Sequence, residues 1–63
     1  MKYTYIVTQI SYYDGSMLIV SAHTNYKAAK RSFNDRIADL PDLPCTVQLR
    51  AYQGISYDVL DEY

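Results

Sequence analysis

"YIVTQISYYDGSMLIVSAH", residues 5–23, holds the choice on which the whole fold turns. Its two arms are rich in Tyr, Ile, Val and Thr, which suit a pleated, half-buried surface. Asp14-Gly15 between them is a strong hairpin signal. A two-residue turn would pair Ile10 with Ile19 and mix apolar and polar residues on both faces. A three-residue loop, Tyr13-Asp14-Gly15, with Gly15 left-handed, pairs Ile10 with Leu18 instead. One face then carries Ile6, Ile10, Leu18, Val20 and Ala22. A one-residue slip would move that whole set to the other side, so a buried face selects the register. The three-residue loop is therefore expected, with the aliphatic set facing the core.

Outward from the hairpin, "TNYKAAKRSFNDRIADL" (24–40) reads as a helix. Thr24 or Asn25 can cap it, because either side-chain oxygen can accept from an exposed N–H of the first turn. Tyr26, Ala29, Phe33, Ile37 and Leu40 fall on one stripe at helical spacing. Pro41 disfavours helix in the residue before it and sets the end near Leu40. "PDLP" (41–44) is a short stiff connector, with Leu43 expected as a plug at the core edge. "CTVQLRAYQ" (45–53) alternates, Cys45, Val47, Leu49 and Ala51 against Thr46, Gln48, Arg50 and Tyr52. Gln53-Gly54 is a turn. "ISYDVLDEY" (55–63) sets Ile55, Tyr57 and Val59 against Ser56, Asp58, Leu60 and Glu62, with charge that suits a sheet edge. The order is β-β-α-β-β. An amphipathic helix has to bury its stripe on a sheet, so a two-layer α+β fold in one domain, residues 1–63, is expected. The order resembles the β-grasp layout, in which two hairpins flank one helix.

At 63 residues the chain buries only roughly 60% of its unfolded surface and is marginal alone. Small domains of this kind often rely on a disulfide, a metal or a partner. Cys45 is the single cysteine and His23 the single histidine. An intrachain disulfide and a Cys/His zinc site are both excluded within one chain. No apolar run reads as a signal peptide or a membrane span, so a soluble, cytoplasmic protein with no membrane partner is expected. The formal net charge of −1 argues neither for nor against nucleic acid.

Tyrosine is the clue to function. Four of the eight tyrosines lie before residue 15. In the expected register the sheet face away from the helix carries Tyr3, Tyr5, Val7, Gln9, Met17, Ile19, Ser21 and His23, joined by Gln48, Arg50 and Tyr52. Tyr, Met and Arg are enriched at protein interfaces, and tyrosine offers rigid apolar area with a polar tip. Tyr3, Tyr5, Met17, Ile19, Arg50 and Tyr52 are the candidate partner-binding residues. The plainer reading is that aromatic and β-branched residues simply pair across strands for stability. The binding reading requires the hairpin to set its aliphatics beneath the helix and its phenol rings outward.

Other residues carry weaker chemistry. His23, with Ser21 or Asp58, could act as a general base, but no nucleophile–base signature surrounds it. No enzymatic activity and no cofactor are expected. Cys45, at an inward-biased strand start, reads as filler. Lys27, Lys30 and Arg31, with Arg36, could bind phosphates, which makes nucleic acid the alternative partner. They sit on the helix, and Lys27 and Arg31 face away from the sheet's tyrosines. "SYDVLDEY" (56–63) places three acids between two tyrosines and reads as a solvated strand. The P-loop, dinucleotide, EF-hand and zinc signatures are absent.

The opening "MKYTYIV" and the strand-to-helix step "SAHTNYKAAKRSF" resemble those of small accessory proteins of bacteriophages and mobile elements. The resemblance implies an inhibitor that occludes a host enzyme or defence protein. A non-enzymatic binding module, with a foreign protein target or a second copy as partner, is the expected function.

Overall fold

The computed structural model describes residues 2–40 and 44–63. Strands β1 (Thr4–Ser11) and β2 (Met17–His23) precede helix α1 (Tyr26–Ala38), and β3 (Cys45–Gln53) and β4 (Ser56–Glu62) follow it. The strands form one antiparallel sheet in the order β2-β1-β3-β4. The β-β-α-β-β order and the α+β class agree with the sequence reading. The strand order departs from the β-grasp layout, which joins its hairpins through the first and last strands. Here β1 meets β3, and β4 lies at the edge. Since β2 and β3 both run against β1, they are parallel to one another. A parallel step needs a long crossover, and α1 supplies it.

The helix begins where Asn25 caps it. Its side-chain oxygen accepts from the backbone N–H of Lys27 at 2.8 Å and of Ala28 at 3.3 Å. Asp39 closes the other end, its N–H turning back to the carbonyls of Arg36 and Ile37. The expected stripe faces the sheet from Ala29 to Leu40, while Tyr26 at its start is exposed. Ala29 and Phe33 are buried with Val7, Val47 and Leu49, and Ile37 and Leu40 pack against that cluster. Each such side chain contributes about 1.5–3 kcal/mol by leaving water. The connector residues Pro41, Asp42 and Leu43, the proposed plug included, lie outside the described residues. No helix among the described residues is long and apolar enough to cross a membrane.

The first hairpin corrects the sequence reading twice. Its loop has four residues, Tyr12 to Gly15. The Ser11 N–H donates to the Ser16 carbonyl at 2.9 Å, and the Gly15 N–H to the Ser11 carbonyl at 3.0 Å. Gly15 is left-handed as expected, at φ +72°. Ile10 consequently pairs with Met17, and Gln9 with Leu18. A bulge between Val7 and Thr8 passes over Val20 and restores the expected register beyond it, with Val7 opposite Ser21 and Ile6 opposite Ala22.

The side of the hairpin that faces the helix also differs from the expected one. Val7 is fully buried and pairs with Leu49, and Tyr5 pairs with Ala51. The Tyr5 ring meets the helix's Tyr26 edge-on at 5.7 Å, and Tyr3 stays on the same side, 6.3 Å from Tyr5. Gln9 also faces the helix, where Arg36 Nε donates to its Oε1 at 2.7 Å. Ser21 lies there too, its Oγ 2.6 Å from that of Ser32. His23, opposite Tyr5, shares that side. Ile6, Ile10 and Ala22, expected beneath the helix, face away from it. The cause is non-local. Val47, Leu49 and Ala51 form the one unambiguous apolar row in the sheet. Directly paired residues share a face, so the β1–β3 register carries Tyr5 and Val7 inward. The bulge lets β2 contribute Val20 to the same core although the hairpin carries aliphatics on both sides.

Candidate protein-binding face

The side of the sheet away from α1 is set by β3. With Val47, Leu49 and Ala51 buried under the helix, period-two alternation sends Thr46, Gln48, Arg50 and Tyr52 outward. Pairing extends the surface across all four strands. Ile6 lies opposite Arg50, Thr8 opposite Gln48, and Ile10 opposite Thr46. Met17 and Ile19 join from β2 through Ile10 and Thr8. On the other flank Val59 is opposite Arg50, Tyr57 opposite Tyr52, and Glu62 opposite Gln48. Simple alternation had separated Glu62 from Tyr57 and Val59. A bulge in β4, where Leu49 pairs with Asp61 but Arg50 with Val59, returns it to their side.

Arg50 organises this face. It is only 8% exposed. Its guanidinium carbon lies 4.4 Å from the centre of the Tyr57 ring, and that ring stacks on Tyr52 at 4.9 Å. Nε donates to Gln48 Oε1 at 2.9 Å, and Nη1 donates to the Tyr52 hydroxyl at 3.0 Å. Nη1 also reaches over β1 to the Met17 sulfur at 3.7 Å. Gln48 in turn donates to Glu62. The acceptors bonded to Arg50 itself, on Gln48, Tyr52 and Met17, are all neutral. Among the described residues the ion pair is Lys30–Asp61, on the helix side, and Arg50 has none. A buried guanidinium without a counter-ion gives up hydration that neutral acceptors replace only in part. Around it, Met17, Ile19, Tyr57 and Val59 are each about half exposed, at 51%, 58%, 47% and 46%.

Of the six residues expected to bind, the fold brings Met17, Ile19, Arg50 and Tyr52 together and sends Tyr3 and Tyr5 to the other side. There, those two line a recess with Ala51, Asp58 and Leu60. Tyr57, Val59, Ile6 and Ile10 belong to the open face but were not among the candidates. The signal for Tyr57 was present in the alternation of 55–59. It needed the β3–β4 pairing to place it beside Arg50.

The basic group on the helix divides. Lys30 pairs with Asp61 and lies 5.0 Å from the Phe33 ring centre, and Arg36 is held by Gln9. The Lys30 ammonium, hydrogen-bonded to Asp61, holds that carboxyl below its usual value. Lys27 and Arg31 remain exposed on the outer side. His23 and Ser21 sit on β2, at the edge opposite Asp58 on β4. Three strand spacings, about 14 Å, separate those edges, so Asp58 cannot orient His23. Cys45 is half-buried. No group of three or more His, Cys, Asp or Glu among the described residues could hold a metal. Comparison with protein-family models, curated proteins and solved structures finds no match to the chain.

Proposed function

We propose that the protein is a non-enzymatic binding module that occludes a foreign protein with the open face of its sheet. Tyr3 and Tyr5 lie on the helix side while Ile6 and Ile10 face away from it, which removes the tyrosine-face basis expected from the sequence, and the proposal stands on a different set of residues. The observation that carries it is Arg50, buried among neutral partners and rimmed by exposed Met17, Ile19, Tyr57 and Val59. Arginine and tyrosine near the centre of a desolvated patch dominate binding energy at many interfaces. The occupant that fits is a protein surface presenting a carboxylate to Arg50 within an apolar surround. Such a group would give the guanidinium the counter-ion it lacks. The resemblance to small phage and mobile-element proteins makes a host enzyme or defence protein the expected class of target.

The test is differential capture from a bacterial lysate with three baits. These are the wild-type chain, Ile19→Lys on the sheet face, and Lys27→Glu/Arg31→Glu on the helix. A protein retained by the wild type and the helix variant but lost with Ile19→Lys supports occlusion through the sheet. Retention of nucleic acid, lost with the helix variant and falling steeply with salt, would replace it with the alternative partner.

A further inference from the structure

We propose that, when no foreign partner is present, the open sheet face pairs with the same face of a second copy about a twofold axis. Arg50 of each copy then lies against Glu62 of the other. The inference rests on the reading of that face as a binding surface and names its resident occupant.

The charges on this face complement one another. Within the four strands this face carries one cation and one anion, Arg50 and Glu62. Asp58 and Asp61 belong to the helix side, where they pair with Ala51 and Leu49. A twofold interface matches a patch to itself, so residue i meets j and j meets i. An axis lying between the two sheets and bisecting the line from Arg50 to Glu62 exchanges their positions. It brings an exposed carboxylate to each guanidinium. Gln48 already bridges the two within one chain, accepting from Arg50 and donating to Glu62. The two residues are therefore close enough for one axis to serve both pairs. Apart from Arg50 and Glu62 the strand residues of this face are uncharged, so the pairing sets no like charges against one another.

The Cα trace spans 37 × 22 × 14 Å. The two longer dimensions bound the face at about 800 Å², so a pairing of standard size would use nearly all of it. The small core also leaves the chain in need of cover. Among the described residues the buried core cluster has five members, Val7, Ala29, Phe33, Val47 and Leu49. A domain of this size draws little stability from one such core. Covering Met17, Ile19 and Val59 would add a second apolar layer between the sheets.

The experiment is sedimentation of the purified full chain over a range of concentrations, with wild type, Ile19→Lys, Glu62→Lys and Lys27→Glu compared. The chain has a mass of 7.3 kDa. Wild type and Lys27→Glu are expected to reach twice that mass. Ile19→Lys is expected to stay monomeric. Glu62→Lys sets two cations against each other and should weaken association about tenfold or more at low salt. Circular dichroism of each variant establishes that it is folded. A wild-type monomer at the highest concentration overturns the proposal, as does a dimer that survives Ile19→Lys. A dimer indifferent to Glu62→Lys overturns the reciprocal pairing. If the chain is monomeric yet Ile19→Lys still abolishes capture of a foreign protein, this inference fails and the occlusion reading stands.

Discussion

The guanidinium carbon of Arg50 lies 4.4 Å from the centre of the Tyr57 ring, one strand away on the outer side of the sheet. A cation over an aromatic face is worth about 0.5–2 kcal/mol, more when desolvated. Against this stands the hydration lost by a charge whose hydrogen-bond acceptors are all neutral. The ring contact together with the hydrogen bonds to Gln48 and Tyr52 offsets that loss, so Arg50 holds its place at little net gain to the free chain. Arg50→Met, which keeps the stem, is expected to leave unfolding stability within about 1 kcal/mol of wild type. Arg50→Ala, which uncovers the strand beneath, should cost about 2 kcal/mol. Urea denaturation measures both. A loss from Arg50→Met as large as that from Arg50→Ala would mean that the charge itself stabilises the fold.

Thr8 is 1% exposed, and its hydroxyl has no hydrogen-bond partner. It belongs to the open face, opposite Gln48 and Ile19, in the band that Arg50 crosses to reach Met17. An unpaired buried hydroxyl costs about 1–3 kcal/mol, so its removal is favourable if the shape is kept. Thr8→Val is expected to hold the thermal midpoint or raise it. A clear fall in midpoint would show that the hydroxyl is satisfied in solution, most simply by a bound water.

The two sides of β1 should respond differently to truncation. Val7 is fully buried beneath the helix, and Ile10 is half-buried on the open side. Val7→Ala should cost about 2 kcal/mol or more, from two lost methyl groups and the cavity they leave. Ile10→Ala should cost about 1 kcal/mol in the monomer. Phe33→Ala, at about 3–5 kcal/mol, is comparable to the whole stability of a chain this short and should abolish cooperative unfolding. Equal costs for Val7→Ala and Ile10→Ala would contradict the face assignment.

Lys30 and Asp61 tie the helix to the edge strand. Hydrogen bonding to the Lys30 ammonium, then the Glu62 backbone N–H, lowers the Asp61 carboxyl in the folded chain. A depressed folded value means that the contribution is fully present above the unfolded value, about 3.9 for Asp. It is lost as pH falls through the lower folded value. Asp61→Asn should therefore be less stable than wild type near neutrality, with the gap closing in acid. The effect is small, because the pair is solvent-exposed and screened by salt. Unfolding midpoints at neutral and strongly acidic pH, at low salt, give the comparison. A gap that does not narrow in acid would remove the ion pair as its cause.

Local pattern was enough for the elements. The helical stripe from Tyr26 to Leu40, the alternation of 45–53 and the left-handed Gly15 each reflect forces acting within a few residues, and each is legible in a short window. The inner side of the first hairpin was not legible in that way. Both of its faces carry aliphatics, so periodicity alone could not choose between Ile6 and Val7. The choice came from β3, about forty residues away, whose apolar row had to share a face with its partners on β1. Two bulges, at Val20 and at Leu60, then moved side chains across the sheet without any mark that a window would reveal. Arg50, Tyr57 and Glu62 became one surface for that reason. Strand pairing is a long-range balance of burial, and it overrides the alternation of any single strand.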